Sequence, residues 1–198
     1  MSPDLTRHFE ELDNEFVWLC VRWINFRQLF AVSEDQIDLL NRAAPAFFGT
    51  IQRILQDDLV IGLCRLTDAA VVAGRDNLVL ERLILGLDPT TVSALEVDLR
   101  NGLAEVRSVV SPLRVHRNRR VAHADLNATV SPATNPLPPD SRQTLGAALS
   151  LMAEYLNRFR AHFGLPVSMY MDTILGLGDA EYLVSLLRRV RPLDGEPD

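Results

Sequence analysis

The chain has 198 residues, 47% of them hydrophobic and 23% charged, which marks a folded globular protein with enough length for one sizeable core. Its formal net charge of −6 excludes a general electrostatic grip on nucleic acid, so any RNA contact needs a local positive patch. All 20 basic residues are arginine, a side chain that stays charged and grips phosphate through two nitrogens at once.

The N-terminal segment "MSPDLTRHFEELDNEF" carries charge where a signal peptide would be apolar, and no run of about 18 apolar residues occurs. A soluble cytoplasmic protein is the expectation. Phe9, Leu12, Phe16, Leu19, Trp23, Phe26 and Phe30 step by three and four, which predicts a first amphipathic helix over roughly 4–31. Ser33 and Gln36 form the pattern of a capping box opening a second helix, roughly 34–43. Pro45 then opens a third, about 46–67. This helix carries Phe47, Phe48, Ile51, Ile54, Leu55, Leu59, Ile61, Leu63 and Leu66 around more than one face, so it is expected at the centre of a bundle. Cys20 and Cys64 lie inside these apolar patterns and read as reduced core residues; no paired metal-ligand spacing exists, and no metal or cofactor is expected.

After a loop, "DAAVVAGRD", a short helix follows Asn77. Pro89 starts another long helix, with Val92, Leu95, Leu99, Leu103, Val106, Val110 and Leu113 on one face. Ser111 and Pro112 read as a fresh cap and first helical residue, giving a separate helix over roughly 112–124. "SPATNPLPPD", 131–140, holds four prolines and breaks the chain into an extended loop. Asp140 caps a helix to about 163, and Gly178 and Asp179 introduce a last short helix, about 179–190. Only "GLPVSMYM" hints at a strand. The expected architecture is one all-α domain spanning 1–198, an antiparallel helical bundle with a core over about 10–163 and short peripheral helices.

The polar stretch "HRNRRVAHAD", 116–125, stands out against this background. Continuing the stripe of Val106, Val110 and Leu113 reaches Arg117 and Val121, so Arg117 is expected either against a carboxylate or facing a cleft. On an ideal α-helix Arg117 and His123 diverge by about 120°. They share a site more easily across two symmetric copies than within one. His116, Arg119 and Arg120 are the helical neighbours of His123, with Arg119 and Arg120 read as a solvated pair. The plainer reading is a solvated helix end, with arginines favoured by the helix dipole. Asp58, Arg65 and Asp68 on the third helix either line the same cleft or form internal ion pairs, and Asp58 or Asp68 is a candidate to pair with Arg117. His8 and His162 read as isolated surface residues; no GxSxG, HExxH or phosphate-loop motif is present, and "GLGDAE" reads as a turn.

Arg117, Asn118 and His123, with five residues between arginine and histidine, resemble the motif of the HEPN superfamily (higher eukaryotes and prokaryotes nucleotide-binding). "LRVHRNRRVAHAD", together with "CRLTD" ending an earlier helix and "NLVLERLI" between them, looks most like the abortive-infection-associated HEPN-like family, over roughly residues 10–160. The resemblance implies a homodimer whose two motifs face one cleft, and a metal-independent endoribonuclease of toxin–antitoxin or phage-defence systems, with RNA as substrate and an antitoxin protein as a further partner. It assigns His123 to proton transfer, Arg117 to the charge on phosphorus, and Asn118 to orienting the histidine or holding a phosphate oxygen. The other polar residues, Arg119, Arg120, His116, Asp125, Arg65, Asp68 and Asp58, support the site. Some HEPN toxins carry a tyrosine two residues after the histidine, which a partner enzyme modifies; here that position is Asp125. Other members bind nucleotide or RNA without cutting, and a purely structural helical dimer is the remaining alternative.

Overall fold

The structure, a computed structural model, describes residues 1–88, 93–121, 142–172, 176 and 178–189. Among them the chain forms seven α-helices and two strands of two residues each. The helices are α1 (Pro3–Phe30), α2 (Glu34–Ala43), α3 (Pro45–Leu66), α4 (Glu81–Leu85), α5 (Ser93–His116), α6 (Arg142–His162) and α7 (Ala180–Arg189). The expected start at Pro89, the cap at Asp140 and the proline-rich loop 131–140 lie outside the described residues. No described helix is long and apolar enough to cross a membrane.

The periodic stripe of α1 is the spine of the core. Phe9, Leu12, Phe16, Leu19, Trp23, Phe26 and Phe30 are all buried. Burying each such side chain stabilises the fold by about 1.5–3 kcal/mol relative to leaving it in water. α1 opens on a Ser2 cap, whose hydroxyl accepts from the Leu5 amide at 3.3 Å, with Pro3 in the first turn.

Contact pairs give the helix directions. Phe9 stacks on Phe159, with ring centroids 4.9 Å apart, whereas Trp23 covers Gly146. Along α1 the partner numbers on α6 fall, so these helices are antiparallel. Likewise Glu15 pairs with Arg65, Leu19 touches Gly62 and Arg22 pairs with Asp58, so α1 and α3 are antiparallel too. α5 packs most extensively on α6. The buried Tyr155 hydroxyl donates to the Leu80 carbonyl at 2.9 Å and fastens the start of α4 onto α6. At the other end Arg160 bonds Asp13 at 2.7 Å and the Tyr170 hydroxyl at 2.9 Å, tying the segment after α6 to α1. Both cysteines are free and buried, and burial pushes the Cys20 thiol up to about 12.

Four local expectations are corrected. Ser33 caps α2 through the Gln36 amide at 3.2 Å, but the Gln36 side chain does not close a box. It is buried and donates to the carbonyls of Gln28 and Leu29, at 2.9 Å for Leu29, so it serves the end of α1. The end of "GLPVSMYM" is not a strand, because Tyr170 begins a single 3-10 turn, Tyr170–Asp172. The expected loop after α3 contains a two-stranded hairpin, Val71–Val72 with Arg75–Asp76, turned through Ala73 (φ 50°) and Gly74 (φ 74°). Finally, α3 touches α1, α2, α5 and α6 but is not enclosed on every side. Phe48, Leu59, Val60, Leu63 and Cys64 face the core, but Phe47, Ile54 and Ile61 lie on its open side.

Candidate functional site

The site is assembled where the end of α3 meets the end of α5. α3 stops at Leu66, and Thr67 and Asp68 bend away, with their amides bonded to the Cys64 and Arg65 carbonyls at 3.2 and 3.3 Å. Thr67 is buried, and its hydroxyl contacts the Leu63 and Cys64 carbonyls at 2.9 and 3.1 Å. The next carbonyls in the chain, freed from helical bonding, are taken by α5. Arg107 donates to the Thr67 carbonyl at 3.1 Å and to the Asp68 carbonyl at 3.3 Å. A guanidinium at a helix C-terminus also meets the negative end of the helix dipole.

Arg107, Arg114 and Arg117 are spaced by seven and three, which places them along one face of α5 and its extension. Arg114 donates to a carboxylate oxygen of Asp68 and, at 2.8 Å, to the Thr67 hydroxyl. Arg117 donates to the second Asp68 oxygen at 3.1 Å, and its Nε donates to the Asn118 side-chain oxygen at 3.0 Å. One carboxylate therefore holds two guanidiniums, both less than a third exposed. α4 braces the arrangement from behind. Glu81 pairs with Arg107 at 3.2 Å and accepts from the Ala70 amide at 3.1 Å; these bonds, the Arg107 one foremost, hold its carboxyl below the usual value of 4.5. Arg82 donates to the Asn77 and Ala70 carbonyls at 3.1 and 2.6 Å, closing the hairpin segment onto α4.

The path of α5 departs from the sequence expectation. The helix runs without interruption through Pro112, although proline removes one helical hydrogen bond. Val106, Val110 and Leu113, all fully buried, hold it to the core on both sides of that position. The chain then widens into a π turn, Arg117–Val121, whose bonds span five residues. The α-helical spacing assumed for the motif therefore does not hold over Arg117–Val121. His116, 2% exposed, continues the buried stripe, and Arg117 sits at its rim, paired.

Of the residues singled out in the sequence, Asp68, Arg117 and Asn118 are brought together. Arg65 pairs with Glu15 and stands on the far lip of a cleft of about 320 Å³, which Asp68 and Asn77 also line. Asp58 is elsewhere, on Arg22 of α1 at 2.7 Å. Arg119 is half-buried rather than fully solvated. His123 and Asp125, and the side chain of Arg120, lie outside what the structure describes.

Arg114, Arg107, Thr67 and Glu81 belong to the site but are not singled out by the sequence reading. The seven-residue step from Arg107 to Arg114, continued to Arg117, is the signal that marks two of them. Counting the side chains in contact, three arginines face two carboxylates, so one positive charge is left over. Burial raises the Cys64 thiol, and the charges of Arg117 and Arg114 partly offset this.

A model of the HEPN family AbiU2 matches residues 2–170. No curated protein and no solved structure matches the chain.

Proposed function

The chain belongs to the AbiU2 family, an abortive-infection-associated branch of the HEPN proteins, and on that premise we propose that it is an RNA-cleaving toxin or phage-defence component. The observation that carries this reading is the setting of Arg117: it is fixed from one side by Asp68 and from the other by Asn118, at the start of the π turn that leads towards His123. A guanidinium held in place needs little reorganisation when charge develops on a neighbouring phosphate.

In the proposed reaction the ribose 2′-oxygen attacks the adjacent phosphorus and the 5′-oxygen leaves. His123 takes the 2′-hydroxyl proton, and a protonated histidine gives one to the leaving oxygen. Arg117 stabilises the additional negative charge on the phosphorane oxygens. The products are a 2′,3′-cyclic phosphate and a 5′-hydroxyl, and no step uses a metal ion. Two copies of the chain contribute one histidine each across a shared cleft. Asn118 orients Arg117, and Asp68 with Arg114 holds it from behind. Incubating purified protein with RNA in EDTA, then identifying the new ends, tests the chemistry. Loss of cleavage in His123→Ala and in Arg117→Ala is the expected result.

One feature of the site favours a second reading. Because Asp68 already engages both Arg114 and Arg117, the arrangement also suits a module that binds RNA or nucleotide without cutting it, or that serves only structure. Binding without cleavage would show as a complex that weakens with salt and leaves RNA intact. A structural role would show as a large fall in melting temperature for Arg117→Ala with no RNA bound.

A further inference from the structure

α1 and α3 together expose an apolar strip on the face that leads to the site. Trp18 is 56% exposed, Phe47 57%, Ile54 56% and Ile61 40%. Leu19 and Gly62 mark the closest approach of the two helices, so their neighbours Trp18 and Ile61 lie beside the same seam. Ion pairs bracket that spot on both sides: Arg22–Asp58 on one and Glu15–Arg65 on the other. Residues 15, 18 and 22 follow one face of α1, and 58, 61 and 65 follow one face of α3. Ile54 and Phe47 continue the strip along α3 at seven-residue steps of about 10.5 Å each.

We propose that this face seats a second copy of the chain, with the two-fold axis passing near Ile61. The proposal rests on the two-copy reading above and gives that pairing a surface. Two properties select a second copy over other occupants. The first is charge. The arginines around Trp18 and Ile61 are matched by carboxylates, so the patch can meet itself without like-charge repulsion. RNA or an anionic membrane would call for a surplus of arginine there. The second is area. Four side chains about half open leave on the order of 300 Å² of apolar surface. A standard interface covers about 800 Å² per partner, a little over half of it apolar, so this strip supplies most of the apolar share. An exposed tryptophan flanked by two ion pairs is also the side chain most suited to anchor such a contact.

The position of the axis matters for the site. Arg65 belongs both to the rim of the strip and to the lip of the Asp68 cleft. In an antiparallel pairing of α3 centred on Ile61, the two α3 ends at Asp68 lie about 21 Å apart along the helix direction. Centred on Ile54 they lie about 42 Å apart, too far for one cleft.

Two measurements test the surface. Sedimentation should show wild-type dimer, with Trp18→Glu and Ile61→Glu each raising the dissociation constant by at least about thirtyfold while circular dichroism stays native. Ile61→Cys should form an interchain disulfide on mild oxidation, whereas Ile54→Cys should not, the native cysteines being buried. A monomeric wild type, dimers unaffected by both glutamate substitutions, or cross-linking at 54 in place of 61 would overturn the proposal. RNA cleavage is not one of the readouts, so an inactive protein that dimerises through Ile61 leaves the surface standing and removes only the ribonuclease reading.

Discussion

Asp68 and Arg117 are joined by a hydrogen-bonded ion pair at 3.1 Å that links the end of α3 to the π turn after α5. Arg114 holds the other oxygen of the same carboxylate, so the two arginines share one counter-charge.

Substitutions separate their roles. Asp68→Ala leaves two partly buried guanidiniums without their shared carboxylate, and unfolding in urea should show a loss of about 1–3 kcal/mol. Arg114→Ala should reproduce much of that loss and retain some RNA cleavage. Arg117→Ala should abolish cleavage at a smaller cost in stability. A double-mutant cycle between Asp68 and Arg114 should return a coupling of about 0.5–3 kcal/mol; additive effects would show that the pair is not linked in solution.

Acid stability should depend on Glu81. Its folded pKa lies below the ordinary carboxylate value because Arg107 and the Ala70 amide bond its ionised form. Its contribution is therefore fully present above about pH 5 and is lost as pH falls through the folded pKa. In Glu81→Gln, stability should be lower at neutral pH and should change less between neutral and acid conditions. Parallel pH profiles for the two proteins would contradict this.

The seam between α1 and α3 depends on Gly62. A Cβ there would lie 2.6 Å from Leu19 Cδ1, a side chain 1% exposed in the core. Gly62→Ala should destabilise the fold by about 1–3 kcal/mol, with no direct effect on the site chemistry. An unchanged melting temperature would mean that Leu19 can move aside freely.

Gln36 gives a smaller test at the C-terminal end of α1. It donates to the Gln28 and Leu29 carbonyls and accepts from Arg188 of α7 at 3.2 Å. Gln36→Ala should cost about 1–2 kcal/mol and loosen α7, as read by faster amide exchange in 180–189.

The helices were legible because burial enforces a three-and-four spacing: α1, α2, α3 and α6 fall within a few residues of what periodicity predicts. Pro112 was misleading, since the residues packed on either side of it outweigh one missing hydrogen bond. The open side of α3 is illegible for a different reason. Its apolar residues surround the helix, and the pattern cannot distinguish a core-facing Phe48 from an open Phe47. At the site, the apolar stripe points to Arg117 but not to Arg107 and Arg114, which share its flank. The ion pairs between Asp68 and the α5 arginines span more than forty residues of sequence, and no local pattern encodes them.

We propose that this chain cuts RNA through Arg117 and His123. The most direct measurement is metal-free cleavage of RNA by wild type, Arg117→Ala and His123→Ala in the presence of EDTA, with mapping of the ends produced. Wild type alone should yield 2′,3′-cyclic phosphate ends. Cleavage that persists in both variants, or that EDTA abolishes, would contradict it.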